Sequence, residues 1–288
     1  MLDVFKKAQT NHYAIGAFNV SNLEQVKAIV QAAQKLESPV IVATSQGESN
    51  FIGVRQIRAL INVYKKETGL PIFLHLDHGK SWEIIQKAVE SGYDSVQFDG
   101  SELSFEENIK MTKKVVNLAK GKGIQNVEGE IGYLRGSSSL QESMEIKEED
   151  LTKPKQAKEF IKNTGVTSLA IAIGNIHGII KKNDISGNPH LFIDRLKEIN
   201  SVLGKEVFLV LHGGSGTPED DIQKAVESGI VKINVNTELR LAYAKALRKF
   251  LKENPKQTTP YKIMPSVVET VQKVVEEKIK LFKSNNRL

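Results

Sequence analysis

The octapeptide "IQKAVESG" occupies residues 85–92 and recurs unchanged at residues 222–229. Its apolar positions follow a helical period, and its closing glycine suits a left-handed helix end. Each copy stands between two short apolar runs. The run before it ends in histidine, "PIFLHLDH" at 71–78 and "VFLVLH" at 207–212. The run after it leads into "DGSEL" at 99–103 or "NTEL" at 236–239. Eight identical residues in matching surroundings read as two equivalent strand–helix units.

Working outward, the same unit recurs along the chain. The expected strands are "YAIGAFNV", "PVIVATS", "PIFLHLD", "DSVQFD", "IQNVEGE", "SLAIAIG", "VFLVLH" and "IVKINVN". Several are continuous Val/Ile/Leu runs, as parallel strands covered on both faces require. Helical stretches separate nearly all of them. "SNLE" at 21–24 reads as a capping box from Ser21, and "TPED" at 217–220 as a helix start capped by Thr217. Gly92 and Gly229 are expected to end helices. Eight units in roughly 250 residues predict an α/β fold, the (β/α)8 TIM barrel. An open doubly wound sheet is the alternative, but its Gly-rich dinucleotide turn is missing. No linker divides residues 1–288, so one domain is expected. The stretch "YLRGSSSLQESMEIKEEDLT" at 133–152 is long for a connection and is expected to be a mobile active-site loop.

The totals narrow the function. The formal charge is +6, with Lys and Arg interspersed among Glu and no basic block carrying aromatics. Nucleic acid is therefore not an expected partner; a local site for an anionic small molecule is compatible. No stretch is long enough to span a bilayer, and "MLDVFKKAQT" has no signal-peptide apolar region, so a cytoplasmic protein is expected. The chain has no cysteine, so a transition metal would need His, Asp or Glu.

On a barrel, the unusual polar residues fall together. His78 follows strand three, Asp99 ends strand four and Glu130 strand five. His177 in "GNIHG" follows strand six, His212 ends strand seven, and Asn234 and Asn236 end strand eight. All are carboxyl ends, where barrel enzymes build their sites. A lone histidine is usually a hydrogen-bonded core residue, but three on one rim suggest a three-histidine metal site with an open position. Zn2+ suits it best; cobalt, nickel and iron also accept imidazole. His75 is expected to point into the barrel in a packing or supporting role, and His12 and His190 to face solvent. Asp77 could move a substrate hydroxyl proton or orient an imidazole. Asp99 and Glu130 could hold a second cation, or pair with rim Lys or Arg. "HGGSG" at 212–216 and "NVNTE" at 234–238 offer backbone N–H groups to an anion. Ser45 and Asn19 could meet the far end of a long ligand or cap helices. An esterase elbow around Ser215 fails, because Thr217 stands where its second glycine belongs.

"HLDHG", "GNIHG", "LHGGSG" and "KINVNTE", in this order, resemble the class II metal-dependent ketose-bisphosphate aldolases over nearly the whole chain. The resemblance implies that His78, His177 and His212 hold catalytic zinc and that Asp77 is the acid/base on a C4 hydroxyl. Asp99 and Glu130 would form a second position for a divalent or monovalent cation. Gly178, Gly213, Gly214, Ser215, Asn234, Val235, Asn236 and Thr237 would hold a phosphate and the dihydroxyacetone part, and Ser45 would contact substrate. It also implies a phosphorylated ketose as partner and a homodimer or homotetramer. The amphipathic helix expected near 265–283 is a candidate subunit contact. One departure stands out. Where the family carries a loop glutamate, the register gives Ser138, leaving Glu142 or Glu145 as the possible loop acid. "NVNTE" resembles enzymes of fructose 1,6-bisphosphate, whereas "TELRLAYAKALRKFLKENP" and "SLAIAIG" resemble tagatose-type ones; fructose 1,6-bisphosphate is the favoured expectation. Two other readings compete: a Schiff-base aldolase using Lys232, and a sugar-phosphate binding protein without turnover.

Overall fold

The computed structural model describes residues 1–182 and 185–288. All eight expected strands form: β1 (Ile15–Asn19), β2 (Val40–Ser45), β3 (Ile72–Gly79), β4 (Ser95–Phe98), β5 (Asn126–Ile131), β6 (Ser168–Ile171), β7 (Phe208–Leu211) and β8 (Ile230–Val235). Every neighbouring pair is parallel, and β8 closes on β1 through Ile15–Lys232 and Ala17–Asn234 pairing. The fold is a (β/α)8 TIM barrel. The two octapeptides lie in equivalent helices, Trp82–Glu90 and Glu219–Glu227, and Gly92 and Gly229 follow them at φ +77° and +108°.

Local chemistry shifts two helix starts. Asn22, not Ser21, caps the second helix, its side chain accepting from the Gln25 N–H. Pro218, not Thr217, is the residue before Glu219–Glu227; the Thr217 hydroxyl donates instead to the Gly213 carbonyl. The 133–152 segment carries more structure than the expected loop. Gly136–Gln141 is a strand pairing in parallel with His177–Lys182, and Arg135 clamps Asp150 at 2.6 Å.

The C-terminal helix, Pro260–Leu281, buries Val267, Val271, Val275 and Ile279 against this chain's own core and packs on the helices Leu23–Lys35 and Thr237–Glu253. Those residues of the expected subunit contact are thus used within the chain.

The barrel lumen is largely polar. Inward residues recur at every second position of a strand. On β5 these are Asn126, Glu128 and Glu130; on β3, His75 and Asp77; on β8, Lys232 and Asn234. The lower tier joins Asn126 to Ser95 and Ser168. The middle tier joins Lys232 Nζ to Glu128 Oε2 at 2.6 Å and to His75 Nε2 at 3.0 Å. His75 is fully buried and neutral. Burial first, and the Lys232 ammonium second, hold its pKa well below the ordinary value, so it accepts from Lys232 and donates Nδ1–H to Ser95.

Candidate active site

The upper tier opens at the carboxyl rim. Asp77 and His78 are consecutive, and a regular strand would send them to opposite faces. The ladder between β3 and β4 slips after Leu76, and His78 takes φ +48°, a strained value for a non-glycine residue. This break lets both side chains face the mouth.

His78, His177 and His212 gather there. The His78 ring lies 4.8 Å from each of the other two, and those two are 6.3 Å apart. The hydrogen-bond partners fix which nitrogens face inward. Glu128 Oε1 takes His212 Nε2–H at 2.8 Å, leaving Nδ1 to meet His78 Nε2 at 3.1 Å. Asp99 takes His78 Nδ1 at 2.9 Å. Donor atoms of Asp77, His78 and His212 lie within 4.8 Å of one another; so do those of His78, Asp99 and Glu130. His177 stands one step outside both groups.

The charge balance fits a cation. Burial lowers the His78 pKa, but Asp77, Asp99 and Glu130 outweigh it and raise it to about 10. A field that holds a proton on an imidazole also favours a divalent ion between the same groups. His177 falls to about 4, chiefly through burial and then through His78, and His212 falls well below its ordinary value for the same reasons. Neutral imidazoles are the form that ligates. Glu130 is pushed up to about 8 by burial and then by Asp99. Burial would raise Asp99 too, but the hydrogen bond and charge of His78, with two hydrogen bonds from Ser101, together outweigh it and take Asp99 well below the carboxylate range. The two carboxylates bond His78 and Gln97; Lys80 feels their charge but bonds Glu102 instead.

Asp77 is held from both sides. Asn19 Nδ2 donates to one carboxylate oxygen at 2.9 Å and Asn234 Nδ2 to the other at 2.8 Å. Burial alone would raise its pKa; His78, His212 and Lys232 bring it to about 2, so it is ionised at neutral pH.

A cavity of about 400 Å3 covers this centre, within the range of small-molecule sites. Asn19, Ser45, Asp77, His78, His177, Gly178, His212, Gly213, Ser215, Asn234, Asn236 and Thr237 all line it. Four expected binding or loop residues do not. Gly214 spends its N–H on the Asn234 carbonyl, and the Val235 side chain is buried in the outer core. Glu142 and Glu145 are exposed beyond the 136–141 strand, whereas Ser138 reaches the cavity. The glycines are needed where they stand. A Cβ on Gly213, at φ +68°, would strike the Ile176 carbonyl, and one on Gly178, at φ +88°, the Ser137 carbonyl. Lys232 does not line the cavity and its ammonium is engaged by Glu128 and His75, which removes the support for Schiff-base chemistry. His12 is exposed, as expected; His190 is exposed too, but bonds Asp221 at 2.8 Å.

Sequence reasoning missed Glu48, Arg240 and Glu128. Glu48 had a signal, the Ser-x-x-Glu capping box from Ser45 directly after β2. Arg240 lies one turn into the helix opened by "NVNTE" and donates to the Ser138 carbonyl at 2.7 Å. Glu128 lies inside a strand and gives no local signal.

Comparison with known proteins agrees with this geometry. The family model "Fructose-bisphosphate aldolase class-II" matches residues 1–287. The YdjI aldolase of Escherichia coli K12 is 34% identical over 99% of this chain and 97% of its own, with a TM-score of 0.82. A Coccidioides immitis protein assigned as a fructose-1,6-bisphosphate aldolase is 30% identical over 99% and 96%, with a TM-score of 0.86. The fructose-bisphosphate aldolase of Campylobacter jejuni, 23% identical over 100% and 95%, shares the fold at a TM-score of 0.85. Matched from end to end, with a barrel rim that gathers three histidines and an ionised aspartate, the chain belongs to the class II fructose-bisphosphate aldolase family.

Proposed function

We propose that the protein cleaves a ketose 1-phosphate chain reversibly into dihydroxyacetone phosphate and an aldehyde, with His78, His177 and His212 holding Zn2+. A metal ion there would supply Lewis acidity toward the substrate carbonyl. Asp77 takes the C4 hydroxyl proton. The C4–O electrons become the aldehyde carbonyl, the C3–C4 bond breaks, and its electron pair passes to the dihydroxyacetone phosphate part, which gains a proton at C3. Asn19 and Asn234 aim Asp77, and the charges of His78, His212 and Lys232 keep it ionised. Gly178, Gly213, Ser215 and Thr237 supply the polar cradle for the phosphate at C1.

The observation that carries this reading is the placement of Asp77, 3.9 Å from both His78 Nε2 and His212 Nδ1 and ionised at neutral pH. Asp99 and Glu130 around His78 support a second cation position, divalent or monovalent. A cytoplasmic homodimer or homotetramer belongs to the same reading, carried by the family; no helix among the described residues is long and apolar enough to cross a membrane.

Fructose 1,6-bisphosphate and tagatose 1,6-bisphosphate are the first two sugars to test, each beside its 1-phosphate. Dihydroxyacetone phosphate release that stops on chelation and returns with zinc is the expected result. Substrate binding without release at full zinc occupancy would instead favour a sugar-phosphate binding protein, the reading that Ser138 in place of a loop acid would suit.

A further inference from the structure

The two ends of the cavity differ in chemistry. Gly178 follows β6 and Ser45 ends β2, four strands apart in a ring of eight, so they face each other across the mouth. A ketose anchored by its C1 phosphate near Gly178 and Gly213 crosses the histidine centre and brings its far end to the β1–β2 rim. There it meets Glu48. One Glu48 oxygen accepts from the Ser45 N–H at 2.7 Å and from Asn19 Nδ2 at 3.0 Å, and the other faces Asn236 Nδ2 at 3.5 Å.

These bonds settle which way the amides point. Asn19 gives its NH2 to Glu48 and Asp77, Asn234 gives its own to Asp77, and Asn236 turns its toward Glu48. The Oδ1 atoms of Asn19, Asn234 and Asn236 are buried without a partner. The cavity wall at this end therefore carries two carboxylates, Asp77 and Glu48, and the three amide oxygens behind them offer a ligand no donor. Carboxylates at a cavity wall accept hydrogen bonds and donate none, so this end suits a ligand that brings hydrogens. Sugar hydroxyls bring them; a phosphate dianion brings charge of the wrong sign. Arg240, the permanent cation among the described lining residues, is exposed and already donates to Ser138.

We propose that Glu48 is a specificity-determining residue that binds hydroxyls of an uncharged substrate tail and selects ketose 1-phosphates over 1,6-bisphosphates. The inference rests on the aldolase reading for the placement of the C1 phosphate. It is tested by equilibrium binding of two non-cleavable polyols, hexitol 1-phosphate and hexitol 1,6-bisphosphate, to the zinc-loaded protein and to Glu48→Gln. Glutamine also serves at this capping-box position, so the helix start survives; Glu48→Ala provides a second variant. The wild type should bind the monophosphate at least about tenfold tighter, a gap of about 1.4 kcal/mol. Both variants should shrink that ratio by about tenfold, mostly by tighter binding of the bisphosphate. Equal or tighter binding of the bisphosphate by the wild type overturns the proposal, as does an unchanged ratio in the variants. Binding of neither polyol, with no dihydroxyacetone phosphate released from any ketose phosphate, overturns the aldolase reading and the proposal together.

Discussion

Replacing Glu128 by glutamine separates its two duties. Glu128, Lys232 and His212 are all at most 1% exposed, and Glu128 bonds Lys232 at 2.6 Å and His212 at 2.8 Å through different oxygens. Glutamine has the same size but only one acceptor oxygen and one NH2. If the NH2 faces His212, the imidazole must accept at Nε2 and carry its proton on Nδ1, toward the metal centre. If it faces Lys232, two donors meet. Either way the ammonium loses its counter-ion. Breaking one side of a buried pair costs on the order of 3–5 kcal/mol. At roughly 2–4 °C per kcal/mol for a larger chain, the metal-free variant should melt roughly 6–20 °C lower. Zinc affinity should fall about 10–100-fold, the usual effect of losing the group that orients a ligand. Thermal melts of chelated protein and zinc competition against a chromophoric chelator read the two effects separately. Adding Lys232→Met should recover part of the stability, because both buried charges are then gone. A Glu128→Gln protein that melts within about 2 °C of the wild type and keeps its zinc affinity would refute this reasoning.

Asp77→Asn should lower the rate of dihydroxyacetone phosphate release about 10²–10⁴-fold while zinc still binds, checked by enzyme-coupled assay beside metal analysis. The His78 pKa is raised from 6.5 to about 10, so its stabilisation is fully present below pH 6.5 and lost as pH rises toward 10. Chelated protein should therefore melt progressively lower across that window, and zinc binding near pH 7 should release about one proton, measured by calorimetry in buffers of different ionisation enthalpy. Gly213→Ala places a Cβ against the Ile176 carbonyl at a positive φ, at a cost of about 1–3 kcal/mol; weaker retention of dihydroxyacetone phosphate and a lower melting temperature should appear together. Ile279→Ala, at a fully buried position of the C-terminal helix, should cost about 2–5 kcal/mol and leave the sedimentation coefficient of the folded protein unchanged.

The sequence by itself determined the barrel. Hydrophobic runs at strand length, helices between them and a repeated octapeptide are local signals, and local periodicity follows from which face each element must bury. It also placed His78, His177 and His212 on one rim, because in a closed parallel barrel every strand's carboxyl end lies on the same side. Tertiary structure alone decided the rest. Glu128 and Lys232 are 104 residues apart and read as ordinary strand residues; only closure of the ring brings them to 2.6 Å. Asp77 and His78 share the mouth because the ladder slips after Leu76, which no one-strand pattern announces. Glu142 missed the cavity and Ser138 reached it because 136–141 pairs with His177–Lys182 as a strand, a partnership between distant segments. Charge obeys the same rule. His78 and His177 are the same residue type, yet one is raised to about 10 and the other lowered to about 4, because three carboxylates surround the first whereas burial dominates the second. A side chain's type is local, but its proton affinity depends on burial and on charges brought near by the fold.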